Sequence, residues 1–237
     1  MSDPTALPPG DPNDLLFVEL NPEGECKSYL VGSRATGAAV VVDPLLDLVA
    51  HTRDALEQHG LRLAFAIDSH THADHLSGGR ELAWACGGRT AGSPRGSVHL
   101  ALSEGDLLEF GRQAIRIWAT PGHTADSLSL LCCDRVFAAD TLMLGSTGRT
   151  DLPSGDAAAE WESIQRLLTL PDATILLPGH DYAGRRTGTI GEERRENGRA
   201  LLGRERFLAA MNAPRPSKPQ LLEQALAYNR RPLQGQA

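Results

Sequence analysis

Between residues 70 and 75 the chain reads His70-Thr71-His72-Ala73-Asp74-His75, three imidazoles and a carboxylate within six positions. Imidazole nitrogen and carboxylate oxygen together make the ligand set for Zn²⁺, Fe²⁺ or Mn²⁺. Such a run serves no packing purpose. Three later segments carry groups of the same kind: His123 in Pro121-Gly122-His123-Thr124, Asp140 in Asp140-Thr141-Leu142, and His180 in Pro178-Gly179-His180-Asp181. Alone, a Pro-Gly-His-Thr segment is more often a turn with a surface histidine, and Asp140 would serve equally well as a helix cap. Together, in this order, they point to one metal site. His51, His59 and His99 have no such context and read as ordinary surface or partly buried residues.

The elements that must position these groups follow from hydrophobic patterning. Strand-like stretches at Leu63–Ile67, Ala114–Trp118, Val136–Ala139 and Thr174–Leu177 each run into one of the four segments. Loops at strand ends can converge on one point while the sheets hold them rigid. Three further strands are expected at Leu16–Glu19, Ser28–Val31 and Ala38–Val42. Helices are expected over Leu46–His59, stopping at Gly60, over about Leu76–Cys86, stopping at Gly87-Gly88, and over Ala157–Leu170. Leu107–Phe110 should pair with Ala114–Trp118, and Leu128–Cys132 with Val136–Ala139, as hairpins. Thr189-x-x-Glu192 and Ser217-x-x-Gln220 have capping-box spacing, the second with Pro219 in its first turn. This order suits one domain of two packed sheets with helices outside.

Composition narrows the partners. Of the 237 residues, 41% are apolar and 22% charged, enough to bury a core. A net charge of −7 argues against nucleic acid or an anionic membrane as partner. No apolar run approaches a membrane span, none being longer than the strand-sized Ala38–Val42. Residues 1–13 hold four prolines and no Lys or Arg, unlike a signal or transit peptide. They read as a disordered lead-in to a single domain over 14–237, with the cytoplasm as the default compartment. The four cysteines include no C-x-x-C pair, and Cys132 and Cys133 would point to opposite faces of a strand. Reduced cysteines packed as small hydrophobes are expected.

Taken in sequence, the four segments resemble the metallo-β-lactamase superfamily over nearly the whole chain. The resemblance implies an α/β fold, an αββα sandwich of two mixed sheets with helices on the outer faces. The superfamily includes β-lactamases, thioesterases, nucleases and oxygenases, so fold does not choose the chemistry. Gly148-Arg149-Thr150-Asp151-Leu152, His180-Asp181-Tyr182 and Thr189-Ile190-Gly191-Glu192-Glu193 resemble the persulfide dioxygenases, neighbours of the glyoxalase II thioesterases. Compact thioesterase-like relatives share the first and third of these. Tyr182, and the roughly 55 residues after it, short for a glyoxalase II helical domain, favour the dioxygenase.

That resemblance implies one Fe(II) per chain, held by His70, His123 and Asp140, which leaves room for water, O₂ and substrate sulfur. His72, Asp74, His75 and His180 then orient ligands and waters. It implies glutathione persulfide as substrate, oxidised with O₂ and water to sulfite and glutathione without nicotinamide or flavin. Arg149 and Tyr182 match positions lining the substrate pocket, and Thr124 is a weaker candidate. Arg149 offers multi-donor recognition of carboxylate, or else a structural salt bridge with a neighbouring acid. Three positions depart from the family pattern: Ala139 where Gly is frequent, Gly145-Ser146-Thr147 without a basic residue, and Asn197-Gly198-Arg199 for Asn-Pro-Arg.

The competing reading is a dinuclear glyoxalase II-like thioester hydrolase with a zinc pair. It would place His70, His72 and His123 on one metal, Asp74, His75 and His180 on the other, and Asp140 between them. A non-catalytic sulfur sensor would be expected to have lost ligands, yet every metal position is filled. The preferred persulfide and a homodimeric state are left open.

Overall fold

The computed structural model describes residues 7–8, 10–213 and 217–233. Three strands rich in β-branched and aliphatic residues, β1 (Leu15–Glu19), β2 (Tyr29–Ser33) and β3 (Ala38–Val42), form an antiparallel meander. A 3₁₀ turn and α1 (Val49–Gln58) carry the chain over to β4 (Arg62–Asp68), parallel to β3. A second crossover through α2 (Gly79–Cys86) adds β5 (Arg89–Gly92), and β6 (Leu100–Ala101) closes this sheet in the order β1-β2-β3-β4-β5-β6.

The second sheet begins with four antiparallel strands: β7 (Leu107–Phe110), β8 (Gln113–Ala119), β9 (Leu128–Cys132) and β10 (Arg135–Ala139). A small hairpin, β11 (Leu142–Met143) with β12 (Ser146–Thr147), precedes α3 (Ala157–Leu167). The chain returns as β13 (Ile175–Pro178), parallel to β10, and β14 (Gly188–Thr189) lies outermost. Three helices follow: α4 (Ile190–Glu196), α5 (Arg204–Met211) and α6 (Leu222–Asn229).

Burial separates by strand parity, because successive side chains in a strand face opposite ways. Val40 and Val42 join Tyr29, Ile67, Ile117, Leu130 and Phe137 in the core between the sheets. Ala39 and Val41 face the other way, onto Ala55 and Leu56 of α1 and Leu82 of α2. On the second sheet Leu131, Val136 and Leu176 pack against Ile164 and Leu167 of α3 and Phe207 of α5. A sheet covered on both faces has no use for polar alternation, which is why Ala38–Val42 reads as a continuous apolar run. The four layers are those of the αββα sandwich.

Several boundaries differ from the sequence expectation. The helix expected from Leu76 starts at Gly79, because the Leu46 and Gly78 amides donate to the Leu76 and Pro44 carbonyls and tie residues 76–78 to 44–46. A Cβ at Gly78 would lie 2.7 Å from the Leu45 carbonyl oxygen, so only glycine fits there. The Thr189–Glu192 capping box forms, but the one expected at Ser217–Gln220 does not. The Ser217 carbonyl instead accepts from Arg149 Nη1, and α6 starts only at Leu222. Helix α3 ends at Leu167, where tighter turns lead to Pro171. The lead-in expected over residues 1–13 falls largely outside the described residues. Of its described part, Leu7 packs on the cluster beneath α3 and α5, and the Asp11 carbonyl accepts from Gln113. No helix among the described residues is long and apolar enough to cross a membrane.

Candidate metal centre

The ends of β4, β8, β10 and β13 lie at one edge of the sandwich, and the four segments singled out in the sequence meet there. At the end of β3 Asp43 takes a left-handed backbone (φ 49°) and accepts from the Ser69 amide at 2.7 Å and its hydroxyl at 2.8 Å. Ser69 Oγ in turn lies 2.9 Å from His70 Nδ1. This fixes the His70 ring, whose Nε2 is buried without a partner among the described residues.

His123 is held on three sides. Its amide donates to Glu160 Oε2 at 2.6 Å, and its Nδ1 lies 2.8 Å from the Arg149 carbonyl oxygen. Its Nε2 lies 3.4 Å from Asp140 Oδ2. The preceding Gly122 (φ 148°) is obligatory, since a Cβ there would stand 2.2 Å from the Glu160 Cα. Asp140 follows Ala139 (φ 48°), where the β10–β13 register shifts. The backbone of Gly179 packs against the Asp140 carboxylate, and a Cβ there would lie 2.4 Å from Oδ1.

Three donor atoms, one each from buried His70, His123 and Asp140, lie within 4.8 Å of one another. Burial, with His72 and His123 nearby, drives the His70 pKa down to about 3, so this imidazole is neutral at pH 7. Burial alone would raise Asp140, but His180, His123 and His70 hold it ionised, well below the usual carboxylate range. A neutral imidazole with an orphaned lone pair beside a carboxylate kept anionic fits a divalent cation.

The remaining four candidates have polar partners of their own, though His72 Nδ1 and His75 Nε2, like His70 Nε2, are buried without a partner among the described residues. His72 Nε2 lies 3.2 Å from Asp43 Oδ1, and its ring centroid stands 4.1 Å from that of His70. His180 bridges two carboxylates, Nδ1 to Asp140 Oδ1 at 2.7 Å and Nε2 to Asp74 Oδ2 at 2.8 Å. These acids raise its pKa well above the ordinary value against the opposing cost of burial. His75 Nδ1 lies 3.2 Å from the same Asp74 oxygen; burial opposes its charge, yet Asp74 and Cys26 lift its pKa to about 10.

A cavity of about 400 Å³ opens over Asp140, His123 and His180, with Arg149, Tyr182, Arg199, Met143 and Leu152 in its walls. Arg149 forms a bidentate pair with Asp151, both contacts 2.7 Å. Tyr182 is exposed and stacks on His180 at 5.4 Å between ring centroids. Thr124 lies outside this lining, buried, with its hydroxyl 2.8 Å from Ser127 Oγ.

Asp43, Glu160, Asn229 and Cys26 also build the site but were not picked out from sequence. Asp43 was the nearest to legible, because it ends a strand as the other site residues do. Cys26, expected to pack as a hydrophobe, instead makes polar contacts, 3.2 Å to Asp74 Oδ2 and 3.5 Å to His180 Nε2. All four cysteines are free.

Two mixed sheets with outer helices, bearing a buried two-histidine, one-carboxylate group on strand-end loops, define a protein of the metallo-β-lactamase fold with a candidate metal site. The family model described as the metallo-beta-lactamase superfamily matches residues 88–180. Persulfide dioxygenase ETHE1, mitochondrial, from Mus musculus is 33% identical over 223 residues, 92% of this chain and 88% of that one. The crystal structure of ETHE1 from Myxococcus xanthus superposes with a TM-score of 0.88 at 37% identity, covering 91% of this chain and 98% of the other. A hydroxyacylglutathione hydrolase from Cereibacter sphaeroides is 31% identical over 209 residues, 85% of this chain and 80% of its own. The chain belongs to the metallo-β-lactamase superfamily and, within it, is similar to the persulfide dioxygenases.

Proposed function

We propose that the chain is an iron-dependent persulfide dioxygenase acting on glutathione persulfide in the cytoplasm. The balanced reaction is GSSH + O₂ + H₂O → GSH + SO₃²⁻ + 2 H⁺, its four electrons coming from the sulfane sulfur. The observation that carries this reading is the group at His70, His123 and Asp140, which among the three candidate metal-holding groups of the described residues is the one built of two histidines and a carboxylate, the others being Cys26, Asp74 and His75, and Asp43, Asp68 and His72. Bound there, Fe(II) would supply a redox-active centre with open positions, which Zn²⁺ cannot.

The chain's own residues do the rest. His180, holding Asp140 Oδ1, leaves Oδ2 turned toward His123 and the metal position. Asp151 orients the Arg149 guanidinium at the cavity wall, where with Arg199 it offers two cations to a tripeptide bearing two carboxylates. Tyr182 flanks the entrance, and Met143 and Leu152 give an apolar wall for the thiol-bearing part.

A dinuclear thioester hydrolase needs a donor atom of His72 beside those of His70 and His123, whereas the donor atoms that lie together are those of His70, His123 and Asp140, and His72 falls in a separate group with Asp43 and Asp68. Metal counting on anaerobically purified protein, with oxygen uptake on glutathione persulfide, separates the two. One iron per chain with uptake is expected. Two metals, S-lactoylglutathione cleavage and no uptake would overturn the proposal.

A further inference from the structure

We propose that Asn229, the last residue of α6, is a positioning residue that sets the geometry of the metal-binding loop from about 150 residues away in sequence. The inference rests on the reading of His70, His123 and Asp140 as the metal site. Residues 71–75 belong to no helix or strand, so their backbone groups find no ladder partners. The Asn229 side chain supplies what is missing. Its Nδ2 donates to the carbonyls of His72 and His75, both at 2.9 Å, and its Oδ1 accepts from the Ser77 amide at 2.9 Å.

A primary amide is suited to this task because it combines two N–H donors with an acceptor on one planar group. Glutamine offers the same atoms one methylene too far out. Aspartate would keep the bond from Ser77 but set an anion against two carbonyl oxygens. The two anchored carbonyls bracket Asp74, and Asp74 holds His180, which holds Asp140. A polar relay therefore joins the C-terminal helix to the carboxylate of the metal group.

Helix α6 is itself tied to α2, the helix that leaves the same loop. Tyr228 Oη donates to Glu81 Oε1 at 2.6 Å, and Arg80 donates to the carbonyls of Asn229, Arg231 and Pro232. Beyond it the Leu233 amide donates to Ser97 Oγ. These contacts dock the tail, whereas Asn229 alone among them reaches the histidine run.

The test loads wild type, Asn229→Asp, Asn229→Ala and Tyr228→Phe anaerobically with Fe(II) and follows its release to a colorimetric chelator. Outer ligand-orienting groups are worth about 10- to 100-fold in metal affinity, so both Asn229 variants should release iron at least about 10-fold faster. Tyr228→Phe, which loosens only the docking, should release it at the wild-type rate. In metal-free protein the Ser77 amide should exchange faster in Asn229→Ala but not in Asn229→Asp. Wild-type release rates in both Asn229 variants, or equally fast release from Tyr228→Phe, would overturn the inference. Wild type that holds one Fe(II) but takes up no O₂ on glutathione persulfide would sink the functional proposal, while fast release from the Asn229 variants would still uphold this one.

Discussion

His180 Nδ1 lies 2.7 Å from Asp140 Oδ1, so one carboxylate oxygen of the metal group is committed to a buried imidazole and only the other faces His123. Orientation of this kind makes the metal group depend on residues that never touch the ion.

The anionic ligand should be indispensable. Asp140→Ala is expected to lower iron affinity by at least about 100-fold, the upper end of what even outer groups contribute, and to abolish oxygen uptake. The circular dichroism spectrum should stay native. Full iron occupancy in the purified variant would remove Asp140 from its assigned place.

Glu160 separates the role of an acceptor from that of a charge. Burial raises its pKa well above the ordinary value, and its Oε2 accepts from the His123 amide. Glu160→Gln should therefore cost less than about 1 kcal/mol, within the range of a single conserved hydrogen bond. Glu160→Ala leaves that amide unpaired beside a void and should cost about 2–4 kcal/mol. Urea denaturation checks both, and equal stabilities would contradict the argument.

Arg149 lines the cavity yet is paired with Asp151. Arg149→Ala should raise the Michaelis constant for glutathione persulfide roughly tenfold, about 1.4 kcal/mol of binding, with iron content unchanged. An unaltered Michaelis constant would leave Arg149 as a purely structural partner of Asp151.

In metal-free protein His70 and His75 should each make stability depend on pH, on opposite sides of pH 6.5. His70, whose folded pKa is about 3, is neutral when folded but takes a proton when unfolded below pH 6.5, so stability falls as pH drops from 6.5 toward 3. His75, at about 10, contributes stability that is complete below 6.5 and lost as pH rises to about 10. Each pH unit inside either window is worth about 1.4 kcal/mol per group. Thermal melts in chelator across pH 4 to 10 read this directly. A melting temperature that does not fall between pH 7 and 10 would refute the assignment of a charged His75.

Much of the sandwich was legible before any coordinates, because runs such as Ala38–Val42 and Ala114–Trp118 carry their strand signal in a few adjacent residues. The same short-range rules failed at the start of α2 and at Ser217. There Leu46, Gly78 and Arg149 donate hydrogen bonds to carbonyls far along the chain and override local preference.

The sequence by itself determined that imidazoles and carboxylates gather on strand-end loops, since residue type and the strand before each segment are local facts. The tertiary structure brings donor atoms of His70, His123 and Asp140 together, the set that the family resemblance implied, and it alone shows the partners that orient each of them. His70 and His72 are two positions apart, yet one turns toward His123 and Asp140 and the other toward Asp43. Side-chain direction in an irregular loop is set by the partners its backbone finds, and here those partners are Asp43 and Asn229, neither of which adjoins the loop in sequence.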